Sequence, residues 1–253
     1  MPHYRLHRDP RSSHQQIAQL VRRPGQGPLL DVGAAQGMLA QLLHEWGGDV
    51  ALDAVEPNHD WAAQARPFYR QVFATTIEEA PLPDATYRTI VCADILEHTV
   101  DPAAVLRRLR RAATADALFI ISLPNVAHLA VRLLLLAGRF PRMERGILDR
   151  THLHYYTRDT AEALARCAGL DVLQVRPTGA PLDELWPGGI GSPAFKALSW
   201  LQRVVLGLAP RLFAFQWIFV ARPVATAALA EPGTLPRDLP RAPGRDRRRG
   251  RGR

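Results

Sequence analysis

Residues 29–40, Leu-Leu-Asp-Val-Gly-Ala-Ala-Gln-Gly-Met-Leu-Ala, constrain this chain more than any other stretch. A short apolar run ends in Asp31-Val-Gly33, three residues pass, Gly37 follows, and a helical pattern begins. That order predicts a strand, a tight glycine turn and a helix start. Such a turn lets backbone approach a ligand closely and aims the free N–H groups of the helix at it. The next apolar run, Ala51-Leu-Asp-Ala-Val, ends in Glu56-Pro57. That is about twenty residues on, where an acidic side chain accepts hydrogen bonds from a ribose diol. Together these signals predict a nucleoside-cofactor site on a doubly wound α/β sheet.

The glycine spacing narrows the cofactor. A dinucleotide turn reads G-x-G-x-x-G, and its middle glycine lets backbone reach a pyrophosphate. Here Ala35 stands in that region, and its methyl hinders the approach. S-adenosylmethionine carries no phosphate and suits the turn better. The competing reading is an ordinary strand-to-helix turn that uses glycine for packing.

Further strands are expected over 28–32, 50–55, 71–74, 89–93, 117–123, 170–175 and 213–221. Helices are expected near 61–68, 103–113, 160–168 and 194–208, and a first one from a Ser13–Gln16 capping box to Arg22. Alternating strands and helices make a mostly parallel sheet, with the last two strands as an antiparallel edge. Residues 125–147 read as an inserted helix and loop. The expected organisation is a flexible lead over 1–11, one domain over 12–223, and a disordered Pro/Gly/Arg-rich tail over 224–253.

The chain resembles the class I S-adenosylmethionine-dependent methyltransferases from about Ser12 to Pro223. Asp31-x-Gly33-x-x-x-Gly37 resembles their first motif and Val55-Glu56-Pro57 their second. Ile90-Val-Cys-Ala-Asp94-Ile-Leu-Glu97-His98, followed by Asp101-Pro102, resembles their strand-four motif. Pro124-Asn125-Val-Ala-His128, Gly138-Arg139-Phe140 and Leu148-Asp149-Arg150-Thr151-His152-Leu153 resemble a bacterial subgroup related to the ubiquinone-type methyltransferases. The resemblance implies a seven-stranded Rossmann-like sheet with an insertion after strand five. It implies a cofactor pocket built from Asp31, Gly33, Ala34, Gly37, Glu56, Pro57, Thr76, Ile77, Asp94 and Leu96. Thr76 stands where many relatives place an adenine-binding Asp, so adenine is expected against backbone and apolar groups near Ile77.

Methyl transfer is an in-line displacement that chiefly requires alignment, and a hydroxyl acceptor also needs a base. The candidates are Asp94, Glu97, His98, His128, Asp149, His152 and His154, with His152 preferred, His98 second, and Asp149 beside them. Some resembled relatives hold a divalent ion at Glu-x-x-Glu-His with a distant His. Here the first position is Asp94, and the adopted reading is pocket shaping and helix capping, with no metal. Leu129–Leu136 with Arg132 reads as a substrate lid, a core helix or an interfacial helix.

Charge and cysteine usage bound the remaining options. Net charge is +8, but residues 237–253 contribute eight arginines and two aspartates, leaving only +2 elsewhere. Cys92 and Cys167 form no C-x-x-C motif and are expected to be two buried thiols of a cytoplasmic protein. No apolar run reaches the roughly 20 residues of a membrane span.

The expected function is methyl transfer from S-adenosylmethionine, by O-methylation of a small-molecule or glycan intermediate. Specific nucleic-acid binding is not expected, and peripheral membrane contact is left open. The rivals are a nicotinamide-dependent oxidoreductase, and a catalytically degenerate binding module that docks RNA or membrane through its arginine-rich tail.

Overall fold

The computed structural model describes residues 12–22, 27–48, 51–182 and 191–224. The expected lead over 1–11 and the tail beyond 224 lie outside them. Seven strands form one sheet: β1 (Leu29–Val32), β2 (Leu52–Val55), β3 (Gln71–Phe73), β4 (Tyr87–Ala93), β5 (Ala113–Pro124), β6 (Leu170–Pro177) and β7 (Gln216–Pro223). Their order is β3-β2-β1-β4-β5-β7-β6. The first five are parallel, and β7 runs antiparallel between β5 and β6.

Buried strands present alternate side chains to two apolar layers. Leu30, Val32, Ile90, Cys92, Phe119 and Ile121 pack beneath α4 (Pro102–Ala112) and α6 (Arg158–Cys167). Leu29, Ala54, Val91, Ile120 and Ile218 pack on the other face against α1 (Ser13–Val21) and α2 (Met38–Glu45). A sheet covered on both faces needs near-continuous apolar strands, which is why β4 and β5 read that way in sequence. Among the described residues the remaining helices are α3 (His59–Ala65), α5 (Leu129–Leu136), α7 (Pro193–Leu208) and the single turn α8 (Pro210–Phe213).

Four expectations shift. The α1 N-cap is Ser12, whose hydroxyl accepts from the Gln15 N–H, not Ser13. Both serines have a glutamine three residues on, and the Gln16 side-chain amide N–H donates to the Pro177 carbonyl of β6. Residues 210–213 form α8, so the last strand begins only at Gln216. β5 starts four residues early, at Ala113, because Ala113 pairs with Tyr87 across an irregularity in β4. Finally, Cys92 is buried but Cys167 is exposed, at the end of α6. Among the described residues no helix is long and apolar enough to cross a membrane.

Candidate active site

The strand order reverses between β1 and β4, and a doubly wound sheet opens its ligand crevice at that point, beyond the carboxyl ends of the strands. Both sets of sequence-predicted residues lie there. On the β1 side the turn takes three left-handed residues in five: Gly33 at φ 76°, Ala35 at φ 48° and Gly37 at φ 86°. The Gly33 N–H donates to the Val55 carbonyl at 2.8 Å. The buried Glu56 carboxylate closes the turn, accepting from Ala35 N–H at 2.7 Å and Asn58 N–H at 2.8 Å. Burial pushes the Glu56 carboxyl up, and these two amides oppose the shift. Each oxygen keeps a second lone pair for a diol.

The glycines also serve packing. A methyl at Gly33 would lie 3.0 Å from Ile95 Cδ1, and one at Gly37 would lie 3.2 Å from the Ala65 backbone. The contact with Ile95 joins the turn to the segment after β4, so the two halves of the crevice touch.

Several expected pocket residues have buried side chains. The Asp31 carboxylate is buried and accepts from the Tyr69 hydroxyl at 2.5 Å. Burial raises its pKa to about 6 despite that bond. It braces the turn from beneath. Leu96 is fully buried in the core beneath α4, and Ile77 packs in the same layer. Ala34 is buried against the α1–α2 layer. Sequence pattern marks the motif but not which way each side chain turns. Pro57 and Thr76 are exposed at the crevice end of the sheet.

On the β4 side Asp94 turns the chain at φ 53°. Its carboxylate accepts from Ser122 Oγ at 2.9 Å and Gln216 Nε2 at 2.8 Å, tying β4 to β5 and β7. Burial raises the Asp94 carboxyl against these bonds. Asp94 therefore does not join Glu97 and His98. The sequence signal for Gln216 is weak: a polar residue opening a strand that is apolar through Ala221.

Glu97 and His98 sit on a 3₁₀ turn, Leu96–His98. The insertion after β5 folds back onto it: the Leu153 and His154 N–H groups both donate to the Glu97 carbonyl. This places the His152 and His98 rings 4.8 Å apart, edge to face. One donor atom each from Glu97, His98 and His152 lie within 4.8 Å of one another. His128 instead caps α5, its Nδ1 accepting from the Ala130 N–H at 3.2 Å. His154 Nε2 lies 3.3 Å from the Val100 carbonyl.

The hydrogen bonds fix the protons of this cluster. Thr151 donates its hydroxyl proton to Asp149 Oδ1 at 2.7 Å, so its 3.1 Å contact with His98 Nδ1 requires the ring N–H to donate. In its neutral form His98 therefore carries its lone pair on Nε2. His152 Nδ1 lies 3.1 Å from the Ile147 carbonyl, which only accepts, so His152 also has a bare Nε2. Burial works against charge on Asp149, but the Thr151 N–H and hydroxyl hold its carboxyl below the usual range. Burial and the nearby His98 push His152 down. Burial, with Asp94 next, pushes Glu97 well up, and neither of its carboxylate oxygens has a hydrogen-bond partner. Glu97 Oε1 and His152 Nε2 are 3.9 Å apart, and burial disfavours the charged form of both groups.

An acidic strand end beside an amide-lined turn, with no basic side chain from Asp31 to Met38, matches a diol-bearing, phosphate-free cofactor. Fold and site thus define a nucleoside-cofactor enzyme of the Rossmann-like class. The methyltransferase-domain family matches residues 3–175, more than half of the chain, and the chain belongs to it. The family and fold indicate S-adenosylmethionine as the cofactor. One relative, the malonyl-[acyl-carrier protein] O-methyltransferase of Geobacter sulfurreducens, is 27% identical over 168 residues. That match covers 64% of this chain and 62% of the relative's own length. The fold is shared with an S-adenosylmethionine-dependent methyltransferase from Archaeoglobus fulgidus, at TM-score 0.55 and 18% identity, over 84% of this chain and 95% of that one. It is shared equally with one from Mesorhizobium loti, at TM-score 0.54 and 16% identity, over 83% and 98%.

Proposed function

We propose that this chain is an S-adenosylmethionine-dependent O-methyltransferase whose acceptor is a hydroxyl of a small-molecule or glycan intermediate. The carrying observation is the Asp149–Thr151–His98 relay, which leaves a bare imidazole nitrogen at the crevice. A carboxylate acceptor would need no such base; a hydroxyl does. The malonyl-[acyl-carrier protein] relative, itself an O-methyltransferase, supports oxygen as the accepting atom.

When bound, S-adenosylmethionine supplies a methyl group already activated on sulfur. Glu56 would hold the ribose hydroxyls, and the Gly33–Gly37 turn would line the cofactor with backbone. Holding the acceptor oxygen in line can be worth about 7–11 kcal/mol of barrier. His98 accepts the hydroxyl proton at Nε2, and Thr151 and Asp149 steady the resulting imidazolium through Nδ1. His98 is half-buried while His152 is only 6% exposed, so His98 is the proton acceptor here and His152 packs behind it. This reverses the order of preference drawn from sequence.

A second reading rests on the unpartnered oxygens of buried Glu97. Glu97 and the bare nitrogens of His98 and His152 are a donor set suited to a divalent ion, which lowers the pKa of a coordinated hydroxyl. Asp94 is no part of that set.

Calorimetry tests the cofactor first. Micromolar S-adenosylmethionine binding, lost by about 100-fold or more in Glu56→Ala and absent for NAD, is expected. No binding by a folded protein rejects the proposal. Metal analysis of the purified protein, with a chelator control on turnover, separates the two versions of the site.

A further inference from the structure

The insertion after β5 exposes apolar surface that the catalytic reading does not use. Only Val131, Ile147 and Leu148 anchor it as a small buried cluster. From Leu135 to Gly146 every residue is exposed. On α5, Leu133 and Leu136 share one stripe and are 56% and 85% exposed. Leu135, Phe140, Met143 and Leu153 add to the same segment, all more than 40% exposed. Isolated exposed leucines are ordinary, but six large apolar side chains on one short insertion mark a contact surface.

Charge identifies the occupant. Residues 129–153 carry Arg132, Arg139, Arg142, Arg145 and Arg150 against Glu144 and Asp149, a net +3. Excluding 237–253, the rest of the protein is close to neutral. An apolar helix face bordered by arginines matches the boundary between acyl chains and anionic headgroups. The patch also continues into the site. Phe140 meets Tyr155 at 5.3 Å, Tyr155 meets His152 at 6.1 Å, and His152 meets His98 at 4.8 Å.

We propose that α5 and residues 137–145 seat the protein on an anionic lipid bilayer, with the crevice opening beside the headgroups. Docking stands apart from methyl transfer: either can fail without the other. Joined to the proposed function, it selects an amphiphilic acceptor, with an apolar tail in the bilayer and its hydroxyl toward His98.

The test uses the full chain with vesicles of phosphatidylglycerol and phosphatidylcholine, and of phosphatidylcholine alone. The wild type is expected to co-sediment with the anionic vesicles and far less with the neutral ones. Leu133→Ser, Leu136→Ser and Phe140→Ser together, which leave the arginine-rich C-terminal segment intact, are expected to weaken that binding at least about tenfold. Unchanged circular dichroism and S-adenosylmethionine affinity show that the variant folds. Amide exchange on the wild type gives a mutation-free readout, with anionic vesicles slowing exchange across 129–143. Equal sedimentation of wild type and variant, protection confined to 237–253, or no vesicle binding overturns the proposal.

Discussion

Asp31 shows how one residue of a cofactor motif can act on stability instead. Unfolded it titrates near 3.8, and folded near about 6. Between these values the folded state keeps a proton that the unfolded state has released. Stability therefore falls as pH rises from 3.8 through about 6, by about 3 kcal/mol in all. Asp31→Asn cannot ionise but still offers Tyr69 an oxygen. Its stability relative to wild type should rise by about 3 kcal/mol between about pH 4 and pH 7 in urea titrations. A pH-independent difference would refute this account. Gly37 is equally testable without ligand. Gly37→Ala forces an L side chain to φ 86° and a methyl against the Ala65 backbone, costing about 1–3 kcal/mol. Gly33→Ala carries the same left-handed strain at φ 76° but meets the Ile95 side chain instead of backbone, and should cost less. In the proposed chemistry, His98→Asn should lower kcat about 10²–10⁴-fold. Thr151→Val should lower it less and leave S-adenosylmethionine affinity unchanged, because Thr151 acts through His98.

At the scale of elements, local chemistry was readable where one residue type dominates the outcome. Gly37 set the start of α2, Asp101-Pro102 set the cap and first turn of α4, and the apolar run of β4 marked a doubly covered strand. It was ambiguous where neighbours were equivalent: Ser12 and Ser13 each have a glutamine three residues on, and the cap falls on Ser12. Distance along the chain hid the partners of Asp94. Gln216 lies 122 residues downstream, and no local pattern links them. Replacing Gln216 by Ala leaves one buried carboxylate oxygen without its donor, which should cost about 1–3 kcal/mol by chemical denaturation. The proposed relay was half legible: Asp149 and Thr151 share one motif, but the contact of Thr151 with His98 on the turn after β4 is tertiary.

At the scale of the molecule, the central sheet and the insertion should differ in stability. Strands β1, β4 and β5 are buried between two large apolar layers, whereas residues 126–155 rest on three buried apolar side chains and His152. Without lipid, amides of 129–143 should exchange at least about 100-fold faster than those of β1, β4 and β5. Uniform protection would show that the insertion opens only with the core. The sequence by itself determined the sheet class, the glycine turn, the acidic strand end and hence the cofactor type, because glycine conformation and apolar periodicity act over a few residues. Only the tertiary structure decided which motif side chains face the crevice, which nitrogens of His98 and His152 stay bare, and that the leucines of α5 lack cover. The contacts of His98 and Asp94 join segments 53 and 122 residues apart, where local sequence holds no signal; the Ile147 carbonyl that orients His152 is only five residues away but reaches it through the fold of the loop.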